Sequence, residues 1–191
     1  GEYERTTAAV LNAYMGPLTS GYLRHLECQF RQLGYQPPLQ IAQCGGGTVS
    51  IDRAARAPLL TLDSGPVAGV TGSRFLGELI GYRNVITTDM GGTSFDVGLI
   101  IDGESASSSI SSINQYDYFM PKVDISVIGS GGGSLVDVDV RHGLMRVGPK
   151  SAGAVPGPIC YGKGGTQVTV TDAALVLGYI DPATFAGSPQ G

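Results

Sequence analysis

The residues of this 191-residue chain best placed to do chemistry lie in Asp89-Met90-Gly91-Gly92-Thr93-Ser94-Phe95-Asp96-Val97, directly between two apolar strand patterns. A turn built on two glycines leaves successive backbone N–H groups uncovered. Such groups cradle phosphate oxygens where a side chain would block the approach. Thr93 and Ser94 add hydroxyl donors. Asp89 and Asp96 flank the turn seven residues apart, and carboxylates repel a phosphate rather than bind it. They suit a magnesium ion, which keeps most of its waters, or the orientation of an attacking water. The plainer alternative is a Gly-Gly hairpin whose aspartates accept hydrogen bonds from the turn.

Glycine is unusual throughout. It supplies 30 residues, more than twice the usual share of about 7%. The clusters at 45–47, 91–92, 129–133 and 162–165 are separated by apolar segments. That spacing points to tight turns and close backbone approach to a ligand, not to a flexible linker. Residues 129–133 follow one strand pattern and precede another, so Gly131, Gly132 and Gly133 either approach a ribose or phosphate on the same sheet edge or serve strand geometry alone. Cys160, in Pro-Gly-Pro-Ile-Cys-Tyr-Gly, has no base beside it, since His25 and His142 are the only histidines. It reads as a buried structural thiol. His142 reads as a turn residue, Lys163 as a solvated charge, and Tyr116, Tyr118 and Phe119 as packing residues.

Around these groups, apolar residues at three- and four-residue spacing predict a helix over 2–33, with Gly34 as its stop and Gly16-Pro17 as a kink or break. A strand over 39–43 runs into Cys44, and Ser50 is the N-cap of a second helix. Asp63-Ser64-Gly65-Pro66 starts a small-residue helix to about Leu79. Its Gly69, Gly72, Ser73 and Gly77 predict close packing against another element. Strands over 85–88 and 94–101 form a hairpin about the first turn, with a second turn at Asp102-Gly103. Residues 105–115 read as a third strand or as a mobile loop. Residues 123–128 read as a strand, and 135–140 with 144–147 as a hairpin. Residues 148–165 form an ordered loop, and a last helix is capped by Thr171 with Asp172 in its first turn and closed by Asp181-Pro182.

Twelve Lys and Arg against sixteen Asp and Glu leave a formal charge of −4, which argues against a nucleic-acid or anionic-membrane surface. A hydrophobic share of 42% supplies a core. No apolar run approaches the roughly 18 residues of a membrane span, and Gly-Glu-Tyr-Glu-Arg does not open a signal peptide. The expectation is a cytoplasmic protein with neither membrane nor nucleic acid as partner. Cys28, Cys44 and Cys160 fit no disulfide framework or zinc site.

The stretch 89–97 resembles the second phosphate motif of the actin, Hsp70 and sugar-kinase superfamily. More closely it resembles the hydantoinase A, 5-oxoprolinase and ketone carboxylase family. Glu2-Tyr3-Glu4-Arg5-Thr6, Asn12-Ala13-Tyr14-Met15-Gly16-Pro17, Ser64-Gly65-Pro66-Val67-Ala68-Gly69-Val70, Gly129-Ser130-Gly131-Gly132-Gly133-Ser134 and Thr169-Val170-Thr171-Asp172-Ala173-Ala174 match that family in order. The family more often shows Ser-Asn-Gly-Gly where this chain has Cys44-Gly45-Gly46-Gly47, a departure that removes a possible Asn ligand.

The resemblance implies an α/β fold, a ribonuclease H-like or actin-like ATPase lobe with a mixed sheet flanked by helices. It implies that residues 1–62 end a first lobe and 63–191 belong to a second, in an internal fragment of a longer protein that is inactive by itself. ATP and Mg2+ are the implied cofactors. Gly91, Gly92, Thr93 and Ser94 would contact the β- and γ-phosphates, and Asp89 would hold the metal or the hydrolytic water, with Asp96 a weaker candidate. The implied activity is phosphorylation of an amide or enolate oxygen, as in ring-opening hydrolysis of a cyclic imide or lactam. Alternatives are the ATP-using subunit of an acetone or acetophenone carboxylase, acting on a ketone, and a non-catalytic nucleotide-binding or docking module. A second, B-type subunit is the implied partner in a hetero-oligomer.

Overall fold

The computed structural model describes residues 1–185. They form two compact units, Gly1–Thr87 with Gly98–Ile125, and Thr88–Val97 with the chain from Ser126 on.

In the first unit, α1 (Glu2–Gln32) is one helix with Pro17 inside it, so the break expected at Gly16-Pro17 does not occur. Proline removes one backbone donor, and the Ser20 hydroxyl bonds the Gly16 carbonyl one turn away (2.6 Å). Tertiary contacts hold the rest. Asn12 accepts the Leu59 N–H at 3.1 Å and donates to the Arg56 carbonyl. Leu23 packs with Ile51 and Ala54, with Leu39, Ile41 and Val49 around them.

Strands β1 (Gln40–Ala42) and β2 (Thr48–Ser50) pair antiparallel. Ser50 caps α2 (Ile51–Arg56) as predicted, accepting the Arg53 N–H. A 3-10 turn over Pro58–Thr61 leads to α3 (Ser64–Ile80).

Helix α3 lies against β3 (Val85–Met90) and β4 (Phe95–Ile101) through a core of Val67, Val70, Ile100 and Val123 with Val85 and Ile125. Each buried aliphatic contributes about 1.5–3 kcal/mol. The closest contact differs from the sequence reading. Gly69 and Gly72 face open space, and only Gly77 is tight, where a Cβ would stand 2.8 Å from the Tyr82 carbonyl oxygen. The decisive glycine is on the strand. A Cβ on Gly98 would stand 2.5 Å from Val70 Cγ2 and 2.7 Å from Thr87 Oγ1.

After β5 (Glu104–Ser105), the Ser-rich stretch is a strand, β6 (Ser107–Ile113), paired antiparallel with β7 (Tyr116–Val123). Strand β7 escapes sequence reading because Pro121 interrupts its pattern. The register shift between Ser108 and Ile110 accommodates that proline, as bulges do. Tyr118 is fully buried there.

Strand β8 (Ile125–Ile128) pairs with β4. In the second unit β9 (Ser134–Asp139) and β10 (Leu144–Ser151) form the predicted hairpin, with Val136 opposite Val147. Helix α4 (Val170–Val176) is capped by Thr169, not Thr171. Thr169 has extended backbone and stands three residues before Asp172, the spacing a capping box requires. Thr171 is already inside the helix. The helix stops at Val176, before Asp181-Pro182, with Gly178 at φ 75°. Among the described residues no helix is long and apolar enough to cross a membrane.

Candidate active site

Strands β3 and β4 deliver the 91–94 turn, and a second glycine loop seats it. The Gly91 N–H closes the turn on the Ser94 carbonyl at 2.9 Å. The Gly91 and Gly92 carbonyls then accept from the N–H groups of Gly132 (2.9 Å) and Gly133 (2.7 Å). The contact leaves no room for side chains at 131 and 133, while Gly92 keeps open space on its free side. A Cβ on Gly131 would lie 2.7 Å from Gly91 O and from Thr93 N and C, and one on Gly133 2.8 Å from Gly92 O.

The glycine loop is anchored on its far side. Ser134 Oγ accepts the Gly131 N–H (2.8 Å), the Gly133 carbonyl accepts the Ala152 N–H (2.8 Å), and the Gly132 carbonyl accepts both the N–H and the hydroxyl of Thr171, each at 2.8 Å. Gly131, Gly133 and Ser134 are buried.

This arrangement sorts the expected site residues. The amides of Gly91, Gly132 and Gly133 are engaged within the protein. Those of Gly92, Thr93 and Ser94 lie outside both strands, and among the described residues they meet no backbone acceptor. Gly92 and Thr93 are exposed and Ser94 is half-buried. Asp96 is half-buried, and the Ser94 hydroxyl donates to its Oδ2 at 3.3 Å. Asp89 is exposed at the end of β3. Among the described residues no three His, Cys, Asp or Glu side chains gather as metal ligands.

Asp172, expected only as a first-turn acid, is the buried polar hub of this unit. Its carboxylate accepts from the N–H groups of Ile159 (3.2 Å), Cys160 (2.8 Å) and Thr169 (2.9 Å) and from the Thr169 hydroxyl (2.8 Å). Burial pushes its carboxyl up, but the bonds from Cys160 and Thr169 outweigh this and hold it below the usual carboxylate range. The Thr-x-x-Asp spacing signals half of this role; nothing local signals the bonds to 159–160.

Burial first, and then the Asp172 carboxylate, push the half-buried Cys160 thiol up to about 11, an environment that favours the protonated thiol over the thiolate. His142 is exposed in its turn, Nδ1 2.9 Å from Asp139 Oδ2. Lys163 is exposed and stands over the Tyr161 ring. In the first unit, Gly45, Gly46 and Gly47 line a cleft of about 380 Å³ with Thr71, Arg74 and Lys122. Both cations there are already paired, Lys122 with Asp63 (2.7 Å) and Arg74 with Glu104 (3.1 Å).

Comparison with known proteins places the chain in a family. The profile described as Hydantoinase/oxoprolinase matches residues 5–191. The chain is 42% identical to the caprolactamase subunit alpha of Pseudomonas jessenii over 98% of its own length and 27% of that protein's. It is 41% identical to the acetophenone carboxylase gamma subunit of Aromatoleum aromaticum, over 98% of the chain and 25% of the relative. A nucleotide-free acetone carboxylase, described with ATP-dependent acetone carboxylation, superposes with a TM-score of 0.83 at 33% identity, over 97% of this chain and 26% of that one.

The chain thus spans about a quarter of the length of these relatives, and its α/β fold is the actin-like ATPase type expected from the resemblance. With a profile running from residue 5 to residue 191 and such identity across nearly all of its length, the chain belongs to the hydantoinase/oxoprolinase family.

Proposed function

We propose that this chain is part of the nucleotide-handling region of an ATP-dependent enzyme that phosphorylates an amide or enolate oxygen, in the ring-opening manner of a hydantoinase or oxoprolinase, with residues 63 onward in the second lobe. The observation that carries the reading is the 91–94 turn, seated on a second glycine loop so that the Gly92, Thr93 and Ser94 amides stay open. The likeness to a caprolactamase subunit, whose name denotes a lactam, favours a cyclic amide as substrate.

The donor set fits the tail of a nucleotide: three open amides and the Thr93 hydroxyl for phosphate oxygens, and two carboxylates beside them, one of which, Asp96, already holds the Ser94 hydroxyl. Bound ATP supplies a transferable phosphoryl group. Gly92, Thr93 and Ser94 hold its oxygens, and Gly91, Gly131, Gly132 and Gly133 keep the turn rigid. Asp89 serves a magnesium ion through water, because that ion takes one or two carboxylates and completes its shell with water and phosphate. Asp96, braced by Ser94, is the alternative carboxylate. Relatives named as subunits support a hetero-oligomer with a second, B-type subunit. ATP use favours the cytoplasm as compartment.

A second reading, the ATP-using subunit of a ketone carboxylase, is favoured by the TM-score of 0.83 to acetone carboxylase. The test offers the full-length protein ATP with lactams, hydantoins, 5-oxoproline, and ketones plus bicarbonate, and follows phosphate release. Cyclic amides are expected to stimulate release, with at least a roughly 100-fold loss in Asp89→Asn. Stimulation by ketones alone selects the carboxylase, and nucleotide binding without turnover on any substrate selects a docking module. Asp89→Asn with wild-type turnover would remove Asp89 from the site.

A further inference from the structure

We infer that Thr171 is a positioning residue for the 91–94 turn, acting through Gly132; the inference rests on the nucleotide reading of that turn. Helix α4 does not need the Thr171 hydroxyl. Its cap is complete in the reciprocal bonds of Thr169 and Asp172. A threonine hydroxyl within a helix commonly bonds a carbonyl three or four residues back. This one instead leaves the helix and donates to the Gly132 carbonyl at 2.8 Å, beside the Thr171 N–H at the same distance.

Two donors on one oxygen fix the peptide that follows Gly132, and that peptide carries the Gly133 N–H that holds the Gly92 carbonyl. The Gly132 N–H holds the Gly91 carbonyl. Both peptide units entering the open part of the turn therefore hang from a residue pinned by Thr171. Thr171 is buried. Glycine at 132 keeps the two sides in register, since a Cβ there would stand 2.7 Å from Thr171 Oγ1. Phosphate donors act only if held near their working geometry, so slack at Thr171 reaches the amides of 92–94.

The test uses the full-length protein with ATP varied at saturating amide substrate. Thr171→Val keeps the shape and the N–H bond but removes the hydroxyl. It is expected to lower kcat/KM for ATP about fivefold, the loss of one neutral hydrogen bond. The KM for the organic substrate is expected to stay unchanged, and Thr171→Ser to restore wild-type values. A Val variant with wild-type kcat/KM for ATP, or one that only lowers the thermal midpoint, overturns the inference.

If the Val variant does not fold, Gly132→Ala is read in the same assay, and Thr171→Ala added to it should recover activity by removing the crowded atom. Absence of recovery overturns the inference. If the wild type neither binds ATP nor releases phosphate, the proposed function fails by itself. Hydrogen exchange at the Gly132 and Gly133 amides then decides: about fivefold faster in Thr171→Val supports the relay, and equal rates overturn it.

Discussion

Replacing Asp172 by asparagine isolates one buried carboxylate and the loop it holds. Its Oδ2 accepts from Ile159 and twice from Thr169, while Oδ1 accepts from Cys160 alone. Asparagine keeps one oxygen. Turned to satisfy Thr169, it sets its NH2 group against the Cys160 N–H, so one charge-assisted bond is lost and a half-buried donor is left unmet. Those two effects, about 1.5–3 and 1–3 kcal/mol, overlap to give about 3 kcal/mol. That is roughly a 100-fold change in a local opening equilibrium.

The assay is hydrogen exchange in the full-length protein on peptides covering residues 157–172. The Cys160 and Thr169 amides are expected to exchange roughly 100-fold faster in Asp172→Asn, and those of α1 at the wild-type rate. The pH dependence has a definite sign. The folded Asp172 carboxyl lies below its unfolded value of about 3.9, so its stabilisation is complete above that value and is lost as pH falls through the lower folded one. The advantage of wild type over Asp172→Asn should therefore be flat above about pH 5 and shrink once the pH drops below about 4. Exchange within twofold of wild type, or an advantage that grows in acid, would refute the hub role.

Two further outcomes follow from contacts in the structure. Gly98→Ala should destabilise by about 1–3 kcal/mol, because Val70 and Thr87 must retreat from the new methyl group; Val70→Ala should cost less in denaturant midpoint on top of Gly98→Ala than in wild type, and additive losses would contradict the contact. Alkylation with iodoacetamide near pH 8 should label the exposed Cys28 well before buried Cys44 or half-buried Cys160, whose thiols are pushed up chiefly by burial; early labelling of Cys160, read by peptide mass spectrometry, would contradict its assigned environment.

Elements whose signals lie within a few residues were legible in the chain. The periodicity of α1, the Ser50 cap, the Asp63-Ser64-Gly65-Pro66 start and the hairpin about Gly91-Gly92 all fall where expected. Elements that depend on partners were not. Strand β7 is hidden by Pro121 until its bulged neighbour β6 is seen. The cap of α4 moves from Thr171 to Thr169 because Asp172 chooses its partner by geometry. Close packing predicted for glycines of α3 is met mostly by Gly98 on the facing strand, since periodicity identifies a face but not the depth to which a neighbour presses on it.

The phosphate-type turn, its hydroxyls and its flanking carboxylates were set by the order of residues alone, because a tight turn and the groups it displays are decided by the backbone freedom of its own few members. Which amides remain open was decided only in three dimensions. The Gly91 and Gly92 carbonyls meet Gly132 and Gly133 from a distant part of the chain, and Thr171 and Ser134 pin those in turn. A donor is free or engaged according to what stands within hydrogen-bond reach, and that depends on how remote segments pack.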